Sequence, residues 1–154
     1  MDAESIEDLV KGLENFGGIS DSSQLQNVKI LDSPVSVIVN TGGHWIAIYI
    51  DDKTVEIMDS LGLISCQSID KHLCRFICAH IRGKTLLVSP KLQSNSSSDC
   101  GKFAISFIYY RSLTSQSLKN FLTIFSENFQ TNSKVIEEIF QTIQKIMTNF
   151  SLKM

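Results

Sequence analysis

The feature that most constrains this chain is a change of hydrophobic period between residues 35 and 58. Val35-Ser36-Val37-Ile38-Val39 reads as a strand, and His44 to Ile50 reads as another that is apolar or aromatic at nearly every position. A strand that is apolar on both faces must be covered on both faces, which puts it in the middle of a sheet. Asp51-Asp52-Lys53 supplies turn residues, and Thr54 to Met58 follows as a third strand. Residues 44–58 therefore predict a hairpin.

The covering layers must come from the rest of the chain. Residues 5–13 read as a short helix, with Ser5 as cap, Asp8 three residues on, and Ile6, Leu9, Val10 and Leu13 as its apolar stripe. Gly17-Gly18 is the expected stop. Residues 19–33 are polar and rich in turn formers. Helical spacing returns over 68–82, with Ile69, Leu73, Phe76, Ile77, His80 and Ile81 on one side, and Gly83 ends it. Thr85 to Val88 is a further strand, and a polar loop runs from Ser89 to Ser98. From Asp99 to about Tyr110 the pattern is an apolar helix. Helices over 117–129 and 133–150 complete the chain, the last with Ile136, Ile139, Phe140, Ile143, Ile146, Met147 and Phe150 at helical spacing. The expectation is an α+β fold, one small mixed or antiparallel sheet packed against helices, in a single domain over 1–154. With 154 residues of which 43% are apolar, the chain can build such a core.

Charge and cysteine usage exclude several function classes. The 14 Lys and Arg against 16 Asp and Glu leave a net charge of -2, so bulk electrostatics do not support a nucleic-acid binder. The acidic start Met1-Asp2-Ala3-Glu4-Ser5 is not a signal peptide, and the apolar run from Phe103 to Tyr110 is too short to span a membrane. Cys66, Cys74, Cys78 and Cys100 are too sparse for a disulfide scaffold, and a reducing compartment, cytosol or nucleus, is expected.

Among these cysteines Cys100 has a distinctive setting. It lies in Ser-Asp-Cys-Gly, where a polar loop turns into an apolar helix, so free N–H groups and the helix dipole favour its thiolate. Gly101 leaves room for a substrate backbone. A thiolate nucleophile needs a base and an orienting partner. His72 and His80 fall on the 68–82 helix and read as surface or satisfied core residues. His44 opens a strand directly after Thr41-Gly42-Gly43, with Trp45 next, and the following strand ends in Ile57-Met58-Asp59-Ser60-Leu61-Gly62. In a hairpin the start of one strand lies beside the end of the other, so His44 and Asp59 should share one end of the sheet. Gln93, seven residues before Cys100, could add a side-chain donor to the Cys100 N–H and form an oxyanion hole. Singly, each residue has a bland alternative: a core cysteine, an edge histidine, a turn aspartate, a solvated glutamine.

Together, Gly-Gly-His-Trp, Met-Asp-Ser-Leu-Gly and Gln-Ser-Asn-Ser-Ser-Ser-Asp-Cys-Gly-Lys-Phe resemble the adenovirus-type cysteine endopeptidases, adenain and its relatives. They are also similar to the related proteases that process SUMO and other ubiquitin-like proteins. The resemblance covers about Val35 to Tyr110. It implies an adenain-like cysteine protease fold in which Cys100 is the nucleophile, His44 the base and acid, Asp59 its orienting group, and Gln93 an oxyanion donor. Trp45, Gly43 and Gly101 would shape the substrate cleft, and small residues, often glycine, would stand next to the cut.

Asp59 and Asp99 are closer to the SUMO-protease branch, since adenovirus enzymes often carry Glu at the first of these positions. Protein substrates are implied: the short chain points to viral structural precursors and a viral or virus-like-element maturation role, with ubiquitin-like protein precursors and deSUMOylation as the alternative. The site of action would be the host nucleus or cytoplasm, or the virion. The resemblance also raises an activating peptide, for which Cys78 is the nearest candidate anchor, and DNA, against which the near-neutral charge argues. No cofactor is carried over. Two other readings compete. Cys66, His72, Cys74, Cys78 and His80 invite a zinc site but lack paired C-x₂-C knuckles, so no metal is assigned. A catalytically decayed interaction module is the second.

Overall fold

The computed structural model describes residues 1–28, 30, 33–62 and 70–153, with side chains through Asn149. Cys66, Ile69 and the expected start of the helix at 68 lie outside the described residues. The chain forms α1 (Ala3–Val10), β1 (Phe16–Asp21), a 3-10 helix (Ser22–Asn27), β2 (Val35–Asn40), β3 (Trp45–Ile50) and β4 (Thr54–Met58). It continues through α2 (Lys71–His80), β5 (Thr85–Val88), α3 (Cys100–Leu113), α4 (Leu118–Leu122) and α5 (Phe129–Lys153). The five strands lie in sequence order, with β1 parallel to β2, β2–β3–β4 antiparallel, and β5 parallel to β4. The architecture is α+β, a mixed sheet packed against helices.

The double-sided apolar strands explain the layering. Along β3, Trp45 and Ala47 belong to the cluster under α1, α3, α4 and α5, whereas Ile46, Ile48 and Ile50 belong to the cluster under α2 and the 3-10 helix. Strand residues alternate faces, so an unbroken apolar run fills both cores at once. On β2, Val35, Val37 and Val39 face one side and Ile38 the other. α3 is buried on nearly all sides, from Phe103 to Tyr109. Phe103 packs on Phe125, and Phe107 and Tyr110 pack on Phe121.

One buried charge joins the helices to the sheet. Glu56 on β4 is fully buried, and its carboxylate meets Arg111 Nη2 of α3 at 3.0 Å and accepts from the N–H of Leu118, the first residue of α4. The Arg111 guanidinium also lies over the Tyr49 ring, 3.8 Å from its centroid.

Four element boundaries differ from the sequence reading. Asp2, not Ser5, caps α1: its side chain accepts from the Ser5 N–H at 2.8 Å. Gly17-Gly18 does not terminate a helix; it lies in β1, which pairs in parallel with β2 across a register shift at Phe16/Gly18. The polar stretch from residue 19 contributes the end of that strand and a 3-10 helix, because main-chain pairing with a buried neighbour outweighs weak strand propensity. The helix expected over 117–129 is shorter, and a break at Ser126–Asn128 precedes α5. There Asn132 is fully buried, donating to the Ser126 and Leu92 carbonyls at 2.8 and 3.0 Å and accepting from the Ser126 N–H at 2.9 Å.

Gly17 is required by contact. A Cβ added there would stand 2.7 Å from Val35 Cγ2 and 3.3 Å from the Ser36 carbonyl oxygen. Gly17→Ala is therefore expected to destabilise the fold by ~1–3 kcal/mol through overpacking between β1 and β2. Urea unfolding should show a lower midpoint with an unchanged slope.

Candidate active site

The site is assembled at the end of the sheet where β3 begins and β4 ends. His44 follows a tight turn: the Asn40 side-chain oxygen accepts from the N–H groups of Gly42 and Gly43, each at 2.9 Å, and the Thr41 N–H donates to the His44 carbonyl at 2.9 Å. Gly42 and Gly43 have φ of 83° and 92°, a region that L side chains rarely adopt. The turn aims His44 inward, toward the residue just beyond β4. That residue is Asp59. Its Oδ1 bonds His44 Nε2 at 2.7 Å and also accepts from the Leu61 N–H at 3.2 Å. His44 is 7% exposed and Asp59 1%, so this is a buried pair.

With Nε2 turned to the carboxylate, Nδ1 is the ring nitrogen left for the nucleophile. It is buried and has no hydrogen-bond partner, while the half-buried Cys100 sulfur is close enough to act on the ring electrostatically. Burial works against the Cys100 thiolate. The His44 ring and the backbone N–H groups of Trp45 and Gly101 oppose that effect and hold the thiol pKa below its ordinary value. Burial likewise opposes the imidazolium, but Asp59 and the Cys100 sulfur outweigh it and raise the His44 pKa from 6.5 to about 9. The two shifts share one source, since His44 and Cys100 each favour the charged form of the other.

Cys100 is the first residue of α3, and Asp99 stands at its N-cap. The Asp99 side chain makes no cap bond. Its Oδ2 accepts from the hydroxyls of Ser97 at 2.8 Å and Ser133 at 2.7 Å, tying the approach to Cys100 onto α5. Gln93 is buried in the preceding loop. Its Oε1 accepts from the Ser60 hydroxyl at 2.5 Å, and its Nε2 donates to the Ser97 carbonyl at 3.1 Å. The structure thus places His44 between Asp59, which it bonds, and Cys100, with which it interacts, and holds Gln93 in the loop that leads to the sulfur.

Trp45 is buried beside this group, and its indole N–H donates to the Met1 carbonyl at 3.0 Å. Met1 also fills the space next to Gly101: a Cβ added at Gly101 would meet Met1 Sδ at 3.3 Å and Trp45 Cδ1 at 3.6 Å. The room expected beside Gly101 is occupied by this chain's own first residue. Gly43, in contrast, has nothing within 4 Å of an added Cβ, and what the structure shows for it is turn geometry.

Two serines carry structural weight that the sequence reading missed. Ser89, fully buried after β5, accepts from the Asp59 N–H at 2.7 Å and donates to the Asp59 carbonyl at 2.9 Å. Ser60 is similarly buried against Gln93. Ser60 sits inside the Asp-Ser-Leu-Gly motif, where its adjacency to Asp59 was the available signal. Ser89 had none, since a serine at a loop start is ordinary.

Among the described residues, the other cysteines and histidines lie elsewhere. Cys74 and Cys78 are neighbours across one turn of α2, and Cys78 pushes the Cys74 thiol pKa up. His80 Nδ1 bonds the Phe76 carbonyl at 2.8 Å, and the His80 ring lies 4.4 Å from that of Phe76. Among the described residues, no three His, Cys, Asp or Glu side chains are placed to share a metal ion. Among them also, no helix is long and apolar enough to cross a membrane.

The fold is found in solved structures. The central domain of the Legionella pneumophila protein Lpg1148 is 11% identical, with a TM-score of 0.55 over 97% of this chain and 98% of that one. ChlaDub1 of Chlamydia trachomatis is 12% identical, with a TM-score of 0.53 over 94% of this chain and 78% of that one. A structure of the SUMO protease Ulp1, with its catalytic cysteine oxidised to a sulfinic acid, is 15% identical over 94% of this chain and 75% of that one, with a TM-score of 0.49. At these identities the likeness is one of fold. No protein-family model and no curated protein sequence matches the chain.

The electrostatics set an expectation for chemical labelling. Iodoacetamide should alkylate Cys100 faster than Cys74 or Cys78 at neutral pH, because thiolate is the attacking species. As pH rises, the Cys100 rate should climb below the ordinary thiol range and hold a plateau. It should change again near pH 9, where His44 loses its proton. His44→Ala should remove the plateau and move the climb to higher pH. Mass spectrometry of the labelled peptides reads all of these rates.

Proposed function

We propose that this chain is a cysteine peptidase that cleaves protein substrates by acyl transfer. The observation that carries the reading is the buried His44, bonded to Asp59 on one nitrogen and facing Cys100 with the other. A structural histidine needs no half-buried cysteine of lowered pKa at a helix start. A structural cysteine, in turn, needs no imidazolium.

In the proposed mechanism the Cys100 sulfur attacks a substrate carbonyl while the His44 imidazolium keeps the proton. The carbonyl oxygen becomes an oxyanion, received by the Cys100 backbone N–H and the Gln93 amide. His44 then protonates the leaving amine and frees the new N-terminus. In the second half, His44 takes a proton from water, the hydroxide attacks the thioester, and the sulfur leaves as thiolate. Asp59 keeps the imidazole in the tautomer and orientation that both halves require. Trp45 lies beside the sulfur and Met1 fills the space at Gly101, which supports a narrow approach for small residues beside the cut.

For the substrate, we favour ubiquitin-like protein precursors. Asp59 and Asp99 support this reading, because both positions resemble the SUMO-protease branch more than adenain. Maturation of viral structural precursors is the second reading, supported by the wider motif resemblance to the adenovirus-type enzymes.

A digest of a peptide library and of ubiquitin- and SUMO-coumarin fusions tests both readings. Cleavage of a fusion at its C-terminal glycine, with short peptides cut far more slowly, supports the first. Efficient cleavage of short Gly-containing peptides supports the second. Cys100→Ala should abolish turnover with the thermal unfolding temperature unchanged within a few degrees, and Gln93→Ala should lower kcat by ~10²–10³-fold. Failure to cut any of these substrates, together with equal alkylation rates at all cysteines, overturns the peptidase reading.

A further inference from the structure

We propose that Ser60 is a positioning residue that anchors the Gln93 amide by its oxygen, so that an Nε2 proton is held toward the reacting carbonyl; this rests on the peptidase reading above. The argument starts from what a buried amide can do. Its two ends are nearly the same shape, but one is an acceptor and the other carries two N–H donors. An oxyanion donor turned by 180° would present oxygen to oxygen and repel the charge it should stabilise. Something must therefore specify the orientation of Gln93.

The Ser97 carbonyl selects the end, and the Ser60 hydroxyl, which can donate or accept, anchors the amide at the other. The Ser97 carbonyl, an acceptor only, takes one Nε2 proton at 3.1 Å. The Ser60 hydroxyl donates to Oε1 at 2.5 Å. Both Ser60 and Gln93 are 1% exposed, so water cannot substitute for either partner. One Nε2 proton is engaged by Ser97, and the other is the one the oxyanion requires. Ser60 also sets the main chain, since its carbonyl accepts from the N–H groups of Leu92 at 2.8 Å and Gln93 at 3.2 Å. The whole glutamine, backbone and amide, is registered against one residue.

That residue is bonded in sequence to Asp59. Consecutive residues just beyond β4 therefore hold the two halves of the chemistry, Asp59 the base and Ser60 the oxyanion donor. Asp59 is itself clamped through both main-chain polar groups by Ser89. A displacement of the segment would move both halves, whereas loss of the Ser60 hydroxyl alone should release only the amide. This separation makes the proposal testable.

The experiment compares the wild-type chain with Ser60→Ala, Ser60→Thr, Gln93→Ala and the Ser60→Ala/Gln93→Ala double variant. The probes are a peptidyl-coumarin amide ending in Gly-Gly, a ubiquitin-coumarin fusion, iodoacetamide, and the ¹⁵N side-chain amide resonance of Gln93. Iodoacetamide is the discriminating probe, because displacement at its saturated carbon creates no oxyanion and needs only the Cys100 thiolate. Ser60→Ala should lower kcat about 10-fold at unchanged KM, the scale of one buried hydrogen bond. Its alkylation rate and pH profile should stay within about twofold of wild type. Ser60→Thr, which keeps the hydroxyl, should recover most of kcat. The double variant should be no slower than Gln93→Ala.

A parallel fall in alkylation overturns the proposal, because it would mean that Ser60 acts through Asp59 or the fold. An additive double variant, or a Gln93 amide resonance unmoved by Ser60→Ala, overturns it as well. If Ser60→Ala does not fold, Ser60→Cys, of similar volume but a weak donor, is read by the same criteria. A wild-type chain that cleaves neither probe, with the Gln93 resonance still moved by Ser60→Ala, overturns the peptidase reading and upholds the orienting contact.

Discussion

The arrangement depends on the packing of α3 across β3. α3 is buried from Phe103 to Tyr109 between the sheet and the helices α1, α4 and α5, so it has almost no freedom to slide or tilt. Its first residue is Cys100, and the residue before β3 is His44. Fixing the helix on the strand consequently fixes the sulfur beside the imidazole. The Glu56–Arg111 pair strengthens the same union from the opposite end of the helix, joining β4, α3 and the start of α4. Breaking one partner of such a pair strands a buried charge, which keeps the two layers in register.

A second constraint works at right angles to the first. β4 delivers Asp59 and Ser60 to the end of the sheet, and the segment after β5 returns beside them. Ser89 clamps Asp59 there, and the main chain at Leu92 and Gln93 bonds the Ser60 carbonyl. Asn132 of α5 then holds the Leu92 carbonyl at 3.0 Å, which connects this loop to the far helix. The polar loop of residues 89–98 is thus pinned at intervals by buried side chains. Loops that carry function commonly depend on a rigid scaffold in this way.

What could be read in the sequence follows from which signals are local. The central strands were legible because an apolar residue at every position of 45–50 has few alternatives, and the hairpin was legible because Asp51-Asp52-Lys53 is turn chemistry. The proximity of His44 and Asp59 followed from hairpin geometry alone. β1 was not legible: Phe16-Gly17-Gly18-Ile19-Ser20-Asp21 has poor strand propensity, and only pairing with β2 makes it a strand. The break before α5 was hidden because Asn132 looks like a solvent-facing residue until its three hydrogen bonds to Ser126 and Leu92 are seen. Ser60 and Ser89 were invisible as positioning groups for the same reason, since a hydroxyl declares its partner only in three dimensions. Met1 beside Trp45 and Gly101 is a contact across the whole fold, beyond any periodicity argument.

The charge distribution at the site explains why so many polar groups are buried here in an otherwise apolar core. A lone carboxylate or imidazolium at 1–7% exposure would carry a desolvation penalty of several kcal/mol and would neutralise instead. Asp59 is bonded to His44 and to the Leu61 N–H, and the His44 imidazolium is favoured by Asp59 and the Cys100 sulfur. The sulfur in turn is favoured as thiolate by His44 and by N–H groups at the head of α3. His44 and Cys100 thus favour one another's charged forms, with Asp59 supporting the imidazolium from behind. A fold that merely needed to fill this space would do so with apolar side chains, at no electrostatic cost. A buried polar set ending in a half-buried sulfur is what the proposed peptidase chemistry calls for, and the packing around it keeps the His44 ring beside both Asp59 and the sulfur.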